Sequence, residues 1–289
     1  MKHRGLPLNG WLNLDKPVGM TSTQALGRAR RILGAGKAGH GGTLDPLASG
    51  VLPIAFGEAT KTVAYVMDAE KVYRFGMGWG ELRSTDDAEG EVTATSGKRP
   101  DKEEIEAVLP LFCGRILQKP PAFSALKVAG QRAYDLARSG EEVNLAPREV
   151  FIKEIKLIAG LDTFEVTCGK GVYIRSLARD LALALGTVGH VASLCRLRVG
   201  QFTLENAVTL ETPDIQDRLL PIETAFEGLP SMVLDDAEAQ RLRLGQRIAL
   251  VGATRQEHQP LVVFTAGGLA LGFAELGQGE LRPVRLFNR

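Results

Sequence analysis

The chain of 289 residues has few cysteines and no long apolar run. Its three cysteines, Cys113, Cys168 and Cys195, are scattered without CxxC spacing, which argues against a disulfide framework and a zinc site. No apolar stretch approaches the ~18 residues that a membrane-spanning helix needs. The basic start of the chain also lacks the apolar core of a secretory signal. We therefore expect a cytoplasmic protein that binds no metal and does not attach to a membrane.

Strong net charge is also absent, although charge is unevenly distributed. The formal net charge is +1. Two segments are basic: residues 1–62 carry 8 basic and 3 acidic side chains, and residues 111–200 carry 13 basic and 8 acidic ones. The segments 63–110 and 201–229 carry an excess of acidic side chains. Two basic stretches that met in the fold would attract a polyanion. Separate solvated surfaces explain the same pattern, so charge alone does not decide.

The rest of the composition is that of a folded protein. Apolar residues make up 44% and charged residues 24% of the chain, which indicates neither a disordered nor a fibrous protein. Periodicity and capping residues predict three helices: one at 22–33 with Thr21 or Ser22 as its cap, one that begins after Asp101, and one at 176–185. Alternation of apolar residues predicts strands at 51–56, 71–79, 150–158 and 163–174. We predict two irregular segments: 34–50, which is rich in glycine, and 81–100, which is rich in acidic and turn-forming residues.

The character of the sequence changes near 228–232. Beyond this point the pattern predicts one helix, at 235–244, and three short strands, at 261–266, 269–275 and 281–286. We therefore predict two domains, 1–229 and 230–289. Because about 60 residues bury little surface, the second domain is expected to pack on the first.

GAGKAG at 34–39 has the glycine spacing of a dinucleotide-binding loop. Such a loop follows a strand and opens a helix, whereas here a basic helix precedes the glycines and Pro46 follows them. Lys37 also resembles the lysine of a P-loop, but Ala38 stands where Ser or Thr would hold magnesium. We expect no nucleotide cofactor.

GHGGTLDPLASG at 39–50 places one carboxylate, that of Asp45, among glycines and apolar residues. A carboxylate in an apolar loop is costly unless it is paired or has a function. The alternative is that Asp45 forms a turn or caps a helix before Pro46.

Taken together, the motifs resemble those of the bacterial tRNA pseudouridine-55 synthase (TruB) family. The similar segments are LNLDKPVGMTS at 12–22, GHGGTLDPLASGVLPIAFGEATK at 39–61, KVYRF at 71–75, QKPPAFSALKVAGQRAYDLAR at 118–138, GVYIRSLARDL at 171–181 and LCRLRVGQF at 194–202. One departure is Gly41, where the family usually has Thr. The resemblance implies an α+β fold: a central, mostly antiparallel mixed sheet with flanking helices and an active-site cleft, plus a small C-terminal β-rich, PUA-like domain.

The resemblance also implies an activity, the isomerisation of uridine 55 in the T arm of tRNA. The N1–C1′ bond breaks, the C5–C1′ bond forms and the target base is flipped out. Asp45 would be the nucleophile, at C1′ or at C6, Arg175 its ionic partner, and Tyr73 would lie against the uracil. No cofactor is expected because nothing is oxidised and no phosphate is transferred. On residue type alone, Tyr73 could be a cross-strand aromatic and Arg175 a surface arginine at a strand end.

The remaining site residues are assigned by the same resemblance. The residues expected around the uridine are His40, Tyr173 and Leu194. Two lysines, Lys16 and Lys61, are expected to organise the pocket or to contact phosphate. A clamping loop at 118–148 is expected to contact RNA phosphates through Lys119, Lys127 and Arg132. The expected partner is tRNA, bound by a monomer. An RNA-binding factor without catalysis and an N-glycoside hydrolase are the alternatives. The hydrolase would need a second carboxylate, and none stands beside Asp45 in its loop.

Overall fold

A nine-stranded sheet forms the centre of the protein in the computed structural model. The structure describes residues 6, 8–124, 126–128, 131–134, 145–250, 259–265 and 267–288. The sheet runs in the order β1 (Gly10–Lys16), β3 (Ala48–Phe56), β12 (Gly189–Val199), β4 (Lys71–Trp79), β11 (Thr163–Cys168), β10 (Arg148–Ala159) and β7 (Gly114–Gln118), and β2 (Ala38–His40) and β13 (Phe202–Thr203) pair with β3 and β12. Among these described strands only β3 and β12 are parallel. The predicted mostly antiparallel mixed sheet is confirmed.

Helices flank this sheet. They are α1 (Ser22–Ile32), α2 (Val63–Asp68), α3 (Lys102–Val108) and α4 (Ile174–Ala184). The side chains of Thr21 and Asp101 each accept a hydrogen bond from the third residue of the following helix, and so cap α1 and α3 as predicted. No helix in the described part of the chain is long and apolar enough to cross a membrane.

The structure corrects three local predictions. The strand predicted at 163–174 ends at Cys168, and Ile174 begins α4, so Arg175 lies in a helical turn. Val172 and Ile174 suggested a strand because they are β-branched, but α4 buries an apolar stripe in the core, and this packing overrides propensity. The segment 34–50 contains β2 and the start of β3. The segment 81–100 contains two paired strands, β5 (Glu81–Arg83) and β6 (Val92–Thr95).

The C-terminal part is built around a second sheet. Its order is β14 (Ser231–Leu234), β16 (Gln259–Thr265), β17 (Ala270–Gly277), β18 (Glu280–Leu286) and β15 (Ile248–Ala249). The helix α5 (Asp236–Arg243) packs on it, and a short pair, β8 (Lys127–Val128) and β9 (Gln131–Arg132), lies in the loop before β10. The β-rich character predicted for this part is confirmed, and the boundary at 229/230 stays a prediction.

The second sheet packs on the first through aromatic side chains. Phe273 of β17 stacks on Tyr65 of α2 with ring centroids 4.2 Å apart, and it also meets Phe226 edge-on at 5.3 Å. These rings belong to one buried cluster that includes Trp11 of β1. This continuous apolar contact holds the small sheet in place on the larger body.

Candidate active site

A cleft of about 580 Å³ brings together residues that are far apart in the sequence. Five of the predicted site residues line it: Asp45, Tyr73, Tyr173, Arg175 and Leu194. They come from the loop before β3, from β4, from the start of α4 and from β12. The order of strands in the central sheet, with β4 beside β12 and β12 beside β3, produces this convergence.

Asp45 and Arg175 form an ion pair in this cleft. The Nε atom of Arg175 lies 3.0 Å from Oδ2 of Asp45. The arginine side chain is only 6% exposed, whereas the carboxylate is 39% exposed and faces the open cleft. A carboxylate held in this way contacts the buried cation on one side, and its other side stays available to a bound molecule.

Two backbone carbonyls and a second carboxylate hold Arg175 in place. Its terminal nitrogens donate hydrogen bonds to the carbonyl oxygens of Thr85 at 2.9 Å and Phe123 at 2.8 Å. Oδ2 of Asp87, which is 4% exposed, lies 3.5 Å from the same guanidinium. Sequence reasoning missed Asp87, because a carboxylate in an acidic, turn-rich segment resembles an ordinary solvated residue.

The start of α4 is fixed by Gln118 at the end of β7. The Gln118 amide donates to the carbonyl of Tyr173 at 3.1 Å and accepts from the Tyr173 amide at 2.8 Å. Since Tyr173 is the N-cap residue of α4, this double hydrogen bond sets the direction in which Arg175 leaves the helix.

The loop that carries Asp45 is held by α1 and the turn before it. The Ser22 hydroxyl both donates to the Leu44 carbonyl at 2.9 Å and accepts from the Leu44 amide at 2.7 Å. The Gly19 amide donates to the carbonyl of Pro46 at 2.8 Å. The residues on either side of Asp45 are thus fixed. The motif at 12–22 contains Ser22, but its spacing gave no sign of a contact 22 residues away.

Tyr73 and Leu194 lie on neighbouring strands. Leu194 of β12 is paired with Phe75 of β4 and with Ala48 of β3, and Tyr73 is paired with Arg196. Burial raises the pKa of the Tyr73 hydroxyl. The positive charge of Arg196 opposes this rise. Tyr73 is therefore a neutral phenol in the free protein at neutral pH.

His40 lies on β2 and is not among the residues that line the cleft. Burial lowers the pKa of its imidazole, and the charge of Arg196 lowers it further, so the ring is neutral at neutral pH. Its Nδ1 atom is buried without a hydrogen-bond partner in the described residues. The imidazole is therefore a neutral, largely buried ring in the free protein.

Lys61 is not among the residues that line the cleft, and its expected role stays a prediction. Its ammonium lies 2.6 Å from Oε2 of Glu58 and donates to the carbonyl of Leu286 at 2.8 Å. The same Glu58 oxygen accepts from the Asn288 amide at 2.6 Å. Lys61 therefore ties the C-terminal end of β18 to the main body, because its charge is already used there.

Three predicted phosphate contacts lie in or near the segment that follows β7. The Lys119 side chain is exposed, and its carbonyl accepts hydrogen bonds from Ser176 at 2.8 Å and Arg179 at 3.0 Å of α4. The side chains of Lys127 and Arg132 lie outside the described residues. In the described part of the chain, no cluster of histidine, cysteine and carboxylate side chains has the arrangement of a metal site.

Comparison with protein families covers nearly the whole chain. Residues 30–174 match the N-terminal domain of TruB family pseudouridylate synthases. Residues 175–234 match the tRNA pseudouridylate synthase B C-terminal domain, and residues 230–287 match the C-terminal domain of pseudouridine synthase II TruB. The chain belongs to the TruB family. Membership makes it an enzyme, an isomerase that forms pseudouridine.

Individual TruB family relatives agree with this assignment. The tRNA pseudouridine synthase B of Rhodospirillum rubrum is 50% identical over 304 aligned positions, which cover 99% of both chains. That of Nitrobacter winogradskyi is also 50% identical, over 97% of this chain and 83% of the relative. A structure of an H/ACA RNP bound to a substrate RNA containing 2′-deoxyuridine superposes with a TM-score of 0.74 at 25% identity, covering 100% of this chain and 91% of that one.

Lys16, from the first TruB motif, is fully buried beside the Asp45 loop. Its ammonium donates to the carbonyls of Pro17 at 2.8 Å and Met20 at 2.6 Å, so it organises the turn and does not line the cleft. Burial lowers the pKa of this ammonium to about 8 from 10.5, and the charge of Asp45 opposes the fall.

This shift predicts a pH-dependent contribution to stability. Between the two pKa values the unfolded chain keeps a proton that the folded chain has lost, so the contribution of Lys16 rises with pH. The variant Lys16→Met has no titrating group at this position and so lacks this contribution. Between about pH 7.5 and about pH 9.5, the difference in unfolding free energy between the wild type and the variant should therefore shift by about 2 kcal/mol in favour of the wild type. Urea unfolding measures both, and a pH-independent difference would contradict the prediction.

Val66 leaves little space for a side chain at Gly41, the position where the resemblance led us to expect threonine. A Cβ atom at Gly41 would lie 2.5 Å from Cγ1 and 3.2 Å from Cβ of Val66, a buried residue of α2. The space for the threonine is thus already filled.

We predict that Gly41→Thr destabilises the protein by roughly 1–3 kcal/mol through overpacking, and that Val66→Ala in the same chain recovers part of the loss. Urea unfolding of the wild type, both single variants and the double variant gives the coupling free energy between the two sites. Strictly additive effects would show that Val66 is not the obstacle.

Proposed function

We propose that the protein isomerises the uridine at position 55 in the T arm of tRNA, with Asp45 as its nucleophile. The observation that carries this proposal is the 3.0 Å pair of Asp45 with a buried Arg175 in a cleft also lined by Tyr73 and Leu194. It combines an arginine-paired carboxylate with an aromatic and an aliphatic side chain that can contact the faces of a base.

The reaction needs a carboxylate and proton transfers. The N1–C1′ bond breaks, the uracil turns, C5 bonds to C1′, and the proton lost from C5 is balanced by one gained at N1. Asp45 can stabilise or capture the cationic C1′, as glycosidase carboxylates do, or add to C6 of the base. Both routes require the same oxygen, on the open side of the carboxylate.

The other residues are assigned by their place around that oxygen. Arg175 pairs with the carboxylate and aims it, Tyr73 lies against the uracil and is available for a proton transfer, and Leu194 and Tyr173 enclose the base. His40, on the strand that precedes the Asp45 loop, is assigned to the RNA that surrounds the extruded nucleotide. The neutral imidazole is consistent with a role other than that of a general base.

The target uridine must leave its stack to reach Asp45, which costs a few kcal/mol. Phosphate contacts offset this cost. We assign them to the clamping loop at 118–148 and to the second domain, 230–289, acting on the T arm from a monomer in the cytoplasm. The separate C-terminal sheet and the exposed Lys119 support this assignment.

The test is to incubate the purified protein with an unmodified tRNA transcript and to map pseudouridine by carbodiimide-dependent stops of reverse transcription. We expect one new stop, one nucleotide 3′ of position 55, and none in a transcript with cytidine at position 55. Release of free uracil would indicate a glycoside hydrolase instead. Tight tRNA binding without either product would indicate an RNA-binding factor.

Lys119 offers a test of the clamping loop. If its ammonium neutralises one phosphate, Lys119→Ala should weaken tRNA binding most at low salt and reduce the slope of log K against log salt by about one unit. Filter binding over a range of salt concentrations measures this slope. Arg115→Ala is the matched control, since Arg115 lies on β7 and already pairs with Glu149 at 2.6 Å. An unchanged slope for Lys119→Ala would remove this residue from the RNA interface.

A further inference from the structure

Arg196 on β12 is a buried cation with no carboxylate beside it. It is 1% exposed, and in the described part of the chain no acidic side chain lies within ion-pair distance of it. Its guanidinium donates instead to three main-chain carbonyls. Burying a charge in this way is costly, so the arrangement calls for a reason.

The carbonyls that Arg196 binds are those that frame the Asp45 loop. Its nitrogens lie 3.0 Å from the carbonyl oxygen of Gly42 and 3.4 Å from that of Thr43, which come shortly before Asp45. A third hydrogen bond, at 2.8 Å, goes to the carbonyl of Val51 on β3, after the loop. One side chain therefore spans both ends of the segment that presents the carboxylate.

The main chain of Arg196 holds the same loop from a second direction. Gly50 has a φ of +98°, and a Cβ atom at this position would overlap the backbone of Arg196. Only glycine allows the chain to pass so closely at this angle. The loop thus ends against the strand that carries the guanidinium, and the two cannot move independently.

Tyr73 is the register partner of Arg196 on the antiparallel strands β4 and β12. The charge of Arg196 lowers the pKa of the Tyr73 hydroxyl against the rise that burial causes. Because a guanidinium can only donate, it stabilises the Tyr73 oxygen as an acceptor and leaves the phenol proton available to another partner.

We propose that Arg196 is a positioning residue that holds the Asp45 loop and the Tyr73 hydroxyl in one fixed arrangement around the bound uridine. This inference rests on the proposed function. Arg196 does not reach the reacting atoms through Asp45 itself, whose ionic partner is Arg175. Its planar group with five donors binds three carbonyls beside the register-paired Tyr73, and a lysine ammonium of equal charge cannot do so.

The test compares Arg196→Lys with Arg198→Lys. Arg198 lies two residues along the same strand, is about one-third exposed and pairs with Glu70, so it is a matched control. Single-turnover rates of pseudouridine formation at saturating tRNA, tRNA dissociation constants and thermal unfolding are measured for each. We expect Arg196→Lys to lower the rate about 100-fold, the scale of a small misplacement of reacting groups, with the dissociation constant changed less than about threefold. The control should match the wild type in all three.

A second comparison isolates the link to Tyr73. In a Tyr73→Phe background, Arg196→Lys should cost clearly less in rate than in the wild type, because one of the groups that it holds is gone. Arg196→Gln, of similar size and uncharged, replaces the lysine variant if that variant unfolds.

Three outcomes would overturn the proposal. The first is an Arg196→Lys rate within threefold of the wild-type rate. The second is an equal loss of rate on Arg196→Lys in the wild-type and Tyr73→Phe backgrounds. The third is a joint loss of rate, tRNA affinity and cooperative unfolding in both Arg196→Lys and Arg196→Gln, which would make Arg196 purely structural. A wild type that forms no pseudouridine would instead overturn the proposed function, so the two failures are distinguishable.

Discussion

Asp45→Asn is expected to lower the rate of pseudouridine formation by at least about 1,000-fold, because an amide cannot serve as the nucleophile. The change keeps the size of the side chain and its contact with Arg175, and it removes no phosphate contact. The tRNA dissociation constant should therefore stay within a few-fold of the wild-type value. Single-turnover assays on unmodified tRNA and filter binding measure the two quantities.

Asp162→Asn is the control for this experiment. Asp162 is an exposed carboxylate in the turn between β10 and β11 and is not among the residues that line the cleft, so its replacement should leave rate and affinity unchanged. If Asp45→Asn turned over at a rate close to that of the wild type, another group would be the nucleophile. A large loss of affinity would mean that Asp45 acts mainly in binding.

Arg175→Lys is expected to have the second largest effect, a loss of about 100- to 1,000-fold in the single-turnover rate. The guanidinium contacts Asp45 at 3.0 Å, Asp87 at 3.5 Å and the carbonyls of Thr85 and Phe123 at 2.9 and 2.8 Å. One ammonium cannot reach all four acceptors. The lysine variant therefore leaves the buried Asp87 carboxylate without a cation in close contact, although the Thr85 hydroxyl and the Glu89 amide still donate to it, and it lets the Asp45 carboxylate turn.

The matched control is Arg74→Lys. Arg74 forms a half-exposed pair with Glu165 at 3.0 Å on the surface of the sheet, where the exchange of one cation for another costs little. Its rate should lie within about twofold of the wild type. If Arg175→Lys behaved in the same way, retained charge alone would be sufficient, and the fixed geometry would not matter.

The Asp45–Arg175 pair illustrates what a sequence can and cannot predict. The loop marked Asp45 because a lone carboxylate among glycines and apolar residues is unusual, and the resemblance supplied its partner. The strand misassigned at 163–174 placed Arg175 wrongly, since Val172 and Ile174 favour a strand locally. Only burial of the apolar face of α4 in the core reverses that preference.

Asp87, Ser22 and Arg196 were missed for a common reason. Each acts on a group that is distant in the sequence: Asp87 on Arg175, Ser22 on Leu44, and Arg196 on Gly42. Spacing rules for helices and strands extend over only a few residues. The contact of Lys61 with Leu286 could not be predicted for the same reason, because Leu286 belongs to the far end of the chain.

The amino-acid order by itself determined the caps of α1 and α3, the strand β4, the β-rich C-terminal part and the set of motifs that identify the family. Local hydrogen bonds and alternation of apolar residues decide these features. The tertiary structure decided which side chains surround Asp45 and which merely join the two sheets. Such contacts depend on strand order and register, and these are set by packing across the whole core rather than by neighbours along the chain.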